Sequence, residues 1–211
     1  MNTPKPPLLL FGTSANPLHA GHVHVVNAVR QFTGIAHAHL LLTPGHNLKN
    51  PADYLPFPHR MAIARHMVEN DPTLIVSDFE ASLTINDEEG RTKTVLDAWR
   101  NAHPNHTPVW LMGADSWLTF HQWGGAAHIV ATTPLLIVNR NDIDEMNCDT
   151  AVHFQQFYRP TFTGQAGWST LTIPPHPASA TAIRAALAAG ESSPYLTPAA
   201  QAYIRQHQLL P

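Results

Sequence analysis

The sequence is poor in cysteine and in charged residues. Cys148 is the one cysteine among 211 residues, so no disulfide can form within the chain, and this usage fits a reducing compartment. Asp, Glu, Lys and Arg make up 13% of the residues, about half of the roughly 25% that is typical of soluble domains. The formal net charge of −3 excludes a global basic field for nucleic acid. An anionic ligand therefore needs a local site.

Long apolar runs are also missing. No run approaches the roughly 18 residues of a membrane-spanning helix, and MNTPKPPLLLFG lacks a long signal-like apolar region. We therefore expect a soluble, cytoplasmic protein with no membrane partner. Hydrophobic residues make up 44%, which suffices for a core, and the length suits one domain over residues 1–211. Histidine is plentiful, with 15 residues.

Short apolar runs alternate with amphipathic stretches along the chain. Bounded by turn residues, these runs predict buried strands at 8–11, 40–42, 74–76, 109–112 and 135–138. Helical patterns occupy 20–32, 58–70, 93–102, 114–121, 180–189 and 198–208. This alternation predicts an α/β fold with a doubly wound parallel sheet and helices on both faces. The segments 43–58 and 141–177 are rich in Pro, Asn, His and Thr, and we expect functional loops or a small lid there.

The stretch FGTSANPLHAGH, residues 11–22, follows the first predicted strand. Gly12 allows a ligand to approach the backbone closely, and the helix that starts near Ala20 directs free N–H groups to the same place. His19 and His22 lie one helical turn apart and share a face there. Their N–H groups could bind phosphate oxygens. The alternatives are incidental surface histidines, or a metal site completed by His24, which lies on another face with no carboxylate or cysteine nearby.

The stretch GTSANPLHAGH resembles the G-G-T/S-F-D/N-P-x-H-x-G-H motif of the nucleotidylyltransferase superfamily. It departs from the motif at Thr13 and Ala15. The resemblance implies a Rossmann-like nucleotidylyltransferase fold and transfer of a nucleoside monophosphate from a triphosphate. It also implies that His19 and His22 are catalytic and grip phosphate.

Near the C-terminus, ASATAIR resembles the superfamily's I-S-x-T-x-I-R motif. Ser179 and Thr181 place hydroxyls at a helix start, and Arg184, one turn beyond Thr181, supplies a planar set of donors. The C-terminal helices from about 179 would then complete the nucleotide site. The alternative is a plain helix cap with one exposed arginine.

The stretch WLMGADSWLTFHQW, residues 110–123, resembles the F-I-x-G-x-D-x-L-x-x-F-x-x-W segment of bacterial nicotinate-nucleotide adenylyltransferases. Asp115 follows a strand end, where a carboxylate can accept from ribose hydroxyls, and Trp123 offers an indole face to a pyridine ring. The alternatives are a helix cap for Asp115 and a core position for Trp123.

Three further stretches resemble the same family. HNLKNP carries Lys49, a phosphate-contact candidate, and LIVNR carries Arg140, a candidate near ATP. GRTKTVLDAW aligns Thr92 with the family's threonine but has Arg91 in place of a tyrosine. In the family, backbone near that threonine and just past the tryptophan receives the nicotinate carboxylate, and the latter position here is Gly124.

The resemblance implies that AMP passes from ATP to nicotinate mononucleotide, giving deamido-NAD and pyrophosphate. Mg²⁺ would be carried by the ATP phosphates, without a metal site built from protein residues, and the chain could form a homo-oligomer. The implied ATP and phosphate contacts are Gly12, Thr13, Ser14, His19, His22, Lys49, Gly113, Asp115, Arg140, Ser179, Thr181 and Arg184. The implied mononucleotide contacts are Asn16, Thr92, Trp123 and Gly124.

Two other functions stay open from the sequence. One is an adenylyltransferase acting on nicotinamide mononucleotide or on phosphopantetheine. The other is a non-catalytic nucleotide-sensing protein of the same fold, which the departures at Thr13, Ala15 and Arg91 favour. Survival of both histidines and of the Ser–Thr–Arg set argues against a sensor.

Overall fold

A six-stranded parallel sheet forms the centre of the fold in the computed structural model, which describes residues 5–45, 54–85, 90–140 and 142–209. The strands are β1 Pro7–Thr13, β2 Ala38–Leu42, β3 Leu74–Ser77, β4 Thr107–Gly113, β5 Pro134–Asn139 and β6 Gly167–Thr172. They lie in the order β3-β2-β1-β4-β5-β6, and every pair of neighbours is parallel. The predicted α/β fold with a doubly wound sheet is confirmed.

The side chains of the strands alternate between two cores, one on each face of the sheet. In β1, Leu8 and Leu10 belong to one core and Leu9 to the other. All six residues of β5 are buried. Apolar side chains on both faces are what a parallel strand between two helical layers requires, and this is why the strands read as continuous apolar runs in the sequence.

Helices cover both faces and leave the strand ends open. They are α1 Ala20–Thr33, α2 Phe57–Val68, α3 Arg91–Ala102, α4 Ala114–Trp117, α5 Ala126–Thr132, α6 Asp149–His153, α7 Ala180–Ala188 and α8 Pro198–Gln206. Helix α7 begins at the Ser179 cap and is followed by Gly190 at φ 75°, as the sequence indicates. Within the described ranges, no helix has the length and apolar character needed to cross a bilayer.

The predicted helix over 114–121 is wrong as one element. Helix α4 ends at Trp117, and a separate 3₁₀ turn follows at Phe120–Gln122. The hydroxyl of Thr150 donates to the Leu118 carbonyl at 3.1 Å and accepts from the His121 N–H at 3.3 Å. These bonds replace helical ones, so a distant side chain ends the helix.

The predicted loop or lid over 141–177 is also wrong. This segment holds α6 and β6, and β6 pairs with β5 along its whole length, from Gly167 to Thr172. The buried Trp168 donates to the Phe154 carbonyl at 2.9 Å and fixes the strand against the chain that precedes it. Of the other predicted loop, 43–58, residues 46–53 lie outside the described residues.

Candidate active site

A cleft of about 760 Å³ opens at the carboxyl ends of the central strands. From β1 the chain proceeds through β2 and β3 toward one edge of the sheet, and from β4 it proceeds through β5 and β6 toward the other edge. The strand order therefore reverses between β1 and β4. Open α/β sheets bind ligands at such a point. The described residues that line the cleft include Gly12, Thr13, Ser14, His22, Thr43, Gly45, Glu80, Arg91, Thr92, Trp110, Gly113, Asp115, Trp123 and Arg140.

Two histidines begin helix α1 by capping each other's backbone. His19 is the N-cap residue, and its Nδ1 accepts from the Gly21 N–H at 3.1 Å. Nδ1 of His22 accepts from the His19 N–H at 3.3 Å. A neutral imidazole that accepts at Nδ1 carries its proton at Nε2. Both rings, whose centroids are 4.0 Å apart, therefore hold an Nε2–H donor that the helix start leaves unused.

Both imidazoles are neutral near pH 7. Burial, followed by the charges of Arg140 and His176, lowers the pKa of His19 to about 4. Burial, followed by His19 and Arg140, lowers the pKa of His22 to about 3. His22 lines the cleft together with Arg140, and His19, whose ring centroid is 4.0 Å from that of His22, adjoins the cleft without lining it. Neutral imidazole donors beside a guanidinium can stabilise an anion without a cationic histidine.

Two glycines make room for side chains of the cleft. A Cβ on Gly12 would lie 2.7 Å from the Trp110 ring, so this glycine is needed where β1 meets β4. A Cβ on Gly21 would lie 3.0 Å from the His19 ring and 3.4 Å from Cβ of Ala178. The glycine of the H-x-G-H stretch therefore leaves room mainly for the His19 ring.

On the other side of the cleft, the start of α3 packs against the turn after Trp123. A Cβ on Gly125 would lie 2.6 Å from Cδ of Lys93, and Thr92 and Trp123 both line the cleft. The Trp123 ring stands edge-on to Phe120 at 5.4 Å and is half-buried, so one part of it stays exposed to the cleft. Gly124 directly follows and is half-buried.

Helix α7 meets the β1–α1 turn from outside the cleft. Nη1 of Arg184 donates to the Asn16 carbonyl at 2.7 Å, and its Nη2 is 3.5 Å from Oγ1 of Thr181. Ser179 caps α7, accepting from the Ala182 N–H at 3.5 Å. The lining residues of the described cleft do not include these three side chains, but the structure places them next to the turn that leads to His19.

Asn16 and Lys49 are the two other predicted contacts. The Asn16 side chain is buried and accepts from the Leu55 N–H at 3.0 Å, so it joins two loops. Lys49 lies outside the described residues.

The lining residues that sequence reasoning missed include Thr43, Gly45 and Glu80. Thr43 directly follows β2, just as Ser14 follows β1, so the rule of strand ends could have found it. Glu80 lies in the 3₁₀ turn Phe79–Ser82 and accepts from Arg91 at 3.0 Å. No local signal points to it.

A parallel sheet of this order, with an H-x-G-H helix start at its switch point, defines a nucleotidylyltransferase, and the chain matches the cytidylyltransferase-like family over residues 10–186. It is 34% identical over 190 residues to a protein of Ruegeria pomeroyi named "Probable nicotinate-nucleotide adenylyltransferase", covering 84% of each chain. A protein of Cereibacter sphaeroides with the same name is 33% identical over 185 residues, 83% of this chain and 95% of the relative. The chain belongs to the nicotinate-nucleotide adenylyltransferases.

A solved structure shares the fold. The nicotinic acid mononucleotide adenylyltransferase of Plasmodium falciparum, complexed with NaAD, superposes with a TM-score of 0.72 over 97% of both chains. The two sequences are 18% identical, so this likeness extends the fold to a distant relative.

Proposed function

We propose that the protein transfers AMP from ATP to nicotinate mononucleotide in the cytoplasm, giving deamido-NAD and pyrophosphate. The observation that carries this proposal is the pair of Nε2–H donors at the start of α1, beside Arg140 and at the switch point of the sheet. The names of the relatives supply the substrate class.

The chemistry fits a site built from donors. The nucleophile is a phosphate oxygen of the mononucleotide, which is already ionised, so no general base is required. This oxygen forms a bond to the α-phosphorus of ATP, and the bond to the bridging oxygen breaks, so the electron pair leaves with pyrophosphate. Catalysis then consists of alignment and of stabilising charge on the α- and β-phosphates. His22 and His19 are the groups we assign to that task.

The remaining residues divide into three sets. Gly12, Thr13, Ser14, Gly113, Asp115 and Arg140 lie where ATP would bind, and Asp115 would accept from a ribose hydroxyl. Thr92 and Trp123 line the side that we assign to the mononucleotide, with Gly124 directly after Trp123 and the Trp123 ring against the pyridine ring. Ser179, Thr181 and Arg184 would hold the outer phosphates, and Lys49 remains a predicted phosphate contact.

The cleft suits a magnesium ion that arrives with the nucleotide. In the described part of the chain, no group of three or more His, Cys, Asp or Glu side chains could hold a metal ion. Mg²⁺ keeps several waters and often binds through substrate phosphates with one or two carboxylates. Such an ion would be held by the ATP phosphates and by water, and it would neutralise phosphate charge.

Pyrophosphate release with three acceptors tests the proposal. We expect release with ATP plus nicotinate mononucleotide, and less with nicotinamide mononucleotide or phosphopantetheine at equal concentrations. Faster release with either of these would reassign the acceptor. Binding of ATP without release for any acceptor would make the protein a nucleotide sensor. His22→Ala serves as the inactive control.

A further inference from the structure

A buried arginine lies directly behind one wall of the cleft. Arg60, in the first turns of α2, is 1% exposed and is not among the residues that line the cleft. Within the ranges that the structure describes, its guanidinium donates only to backbone carbonyl oxygens: Ser14 at 2.6 Å, Thr43 at 2.8 Å, Pro44 at 2.7 Å and Leu55 at 3.0 Å. Three of these four carbonyls belong to the loops that follow β1 and β2.

The charge of Arg60 has no acidic partner among the described residues. The rings of Tyr54 and Phe57 also lie beside the guanidinium, with centroids 5.7 and 5.1 Å from Cζ. Burial lowers the pKa of Arg60. A buried cation is costly unless its donors are satisfied. Carbonyl dipoles alone satisfy it here, so the positive charge is not cancelled by a carboxylate.

The bonds of Arg60 set the orientation of two loops that form the wall of the cleft. Ser14, Thr43 and Gly45 all line it, and the Thr43 N–H donates to the Thr13 carbonyl at 3.0 Å, which ties the loops together. The C=O and N–H of a trans peptide point in opposite directions. The Pro44 carbonyl faces Arg60, so the N–H of Gly45 is turned away from the guanidinium.

We propose that Arg60 is a positioning residue for nucleotide binding. It touches no substrate. It holds the backbone at Ser14 and at residues 43–45 in the form that receives the phosphates of ATP, and it adds an uncancelled positive charge behind that wall. The inference rests on the proposed function in naming ATP as the ligand.

Two substitutions at position 60, with one matched control, test this role. Arg60→Met keeps the length and removes all donors, whereas Arg60→Lys keeps the charge but cannot bond four carbonyls at once. Arg65→Met, at an exposed position of the same helix, is the control. The readouts are the Kd of ATP by calorimetry, KM and kcat from pyrophosphate release, and Tm.

We expect Arg60→Met to raise Kd and KM for ATP by about tenfold or more. Arg60→Lys should raise them by roughly threefold or more with little change in Tm. We expect kcat to stay within about threefold, because the histidine caps do not depend on Arg60. Arg65→Met should match the parent protein.

Folded Arg60→Met with the parent's Kd and KM would overturn the proposal. If Arg60→Met does not fold, Arg60→Lys decides: weaker ATP binding at unchanged Tm supports the role, and unchanged binding overturns it. Unfolding of both variants would make Arg60 a residue of fold stability and overturn the role as well. Calorimetry needs no turnover, so failure of the parent protein to release pyrophosphate would refute the proposed reaction and leave the ATP comparison intact.

Discussion

The starts of α1 and α7 meet at the same turn, but they are built differently. At α1, His19 is buried. Nδ1 of His19 and Nδ1 of His22 accept from backbone N–H groups at 3.1 and 3.3 Å. At α7, Ser179 and Thr181 are exposed, and the side-chain bonds at 3.5 Å are weak. The polar side chains at the start of α1 are thus held by buried backbone contacts, whereas Ser179 and Thr181 at α7 are exposed and weakly bonded.

This difference has a kinetic meaning. Donors that are already in place stabilise charge as it develops in the transition state, because no reorganisation is needed then. Side chains that hold the substrate and its transition state equally provide uniform binding, and loss of such binding raises KM while kcat is kept. We therefore expect substitutions at α1 to lower kcat and substitutions at α7 to raise KM.

The sharpest test is His22→Ala. We expect kcat to fall by about 10²-fold or more, because an Nε2–H that stabilises moving phosphate charge is removed. KM for ATP should change little, and Tm and circular dichroism should show that the fold is kept. Pyrophosphate release measures kcat. Near-parental turnover would remove the histidines from the mechanism.

At the opposite helix, Arg184→Ala should raise KM for ATP by about tenfold and leave kcat within roughly threefold. The lost guanidinium would hold the substrate and its transition state equally. Saturation curves with varied ATP give both constants, and Arg205→Ala, an exposed position on α8, is the control. A fall in kcat without a rise in KM would contradict the proposed difference in function between the starts of α1 and α7.

Acid should destabilise the α1 end in particular. Below about pH 6.5 the unfolded chain binds a proton at both His19 and His22, whereas the folded chain does so only near pH 4 and 3. The unfolded state then binds more protons, so the free energy of unfolding falls as the pH falls from 6.5 toward 4. His22→Gln should reduce this slope by about 1 kcal/mol per pH unit, measured by urea unfolding. Arg184→Ala should keep the slope, because a guanidinium stays charged throughout.

The smallest expected effect separates capping from phosphate binding at α7. Ser179→Ala should lower the free energy of unfolding by about 0.5–1 kcal/mol and raise KM for ATP by roughly threefold. Ser179→Gly should cost only a few tenths of a kcal/mol, because glycine is a tolerated N-cap. Equal KM values for Ser179→Gly and the parent would limit this hydroxyl to capping.

Helices and strands could be predicted where the local sequence pattern determines their type and bounds. The strands β1 to β5 and the helices α1, α2, α3, α7 and α8 lie within two residues of their predicted bounds. Their burial follows from short apolar runs and caps. The end of helix α4 and the presence of strand β6 could not be predicted, because Thr150 ends the former and pairing with β5 orders the latter.

The site divides in the same way. The spacing of His19 and His22 is local, so it indicated a shared helix face. The use of each Nδ1 as a cap depends on backbone geometry and was not predicted. The surroundings of Arg60 and Glu80 arise where loops from different strands meet, and no local pattern encodes such a meeting.

The reciprocal caps of His19 and His22 join catalysis to the integrity of one helical turn. If that turn frays, the imidazoles lose their backbone partners, their tautomers become mixed, and the donors no longer aim at one place. Heat inactivation should therefore begin at the first turn of α1 and precede loss of the sheet. Loss of enzyme activity on heating then reports the unfolding of that turn.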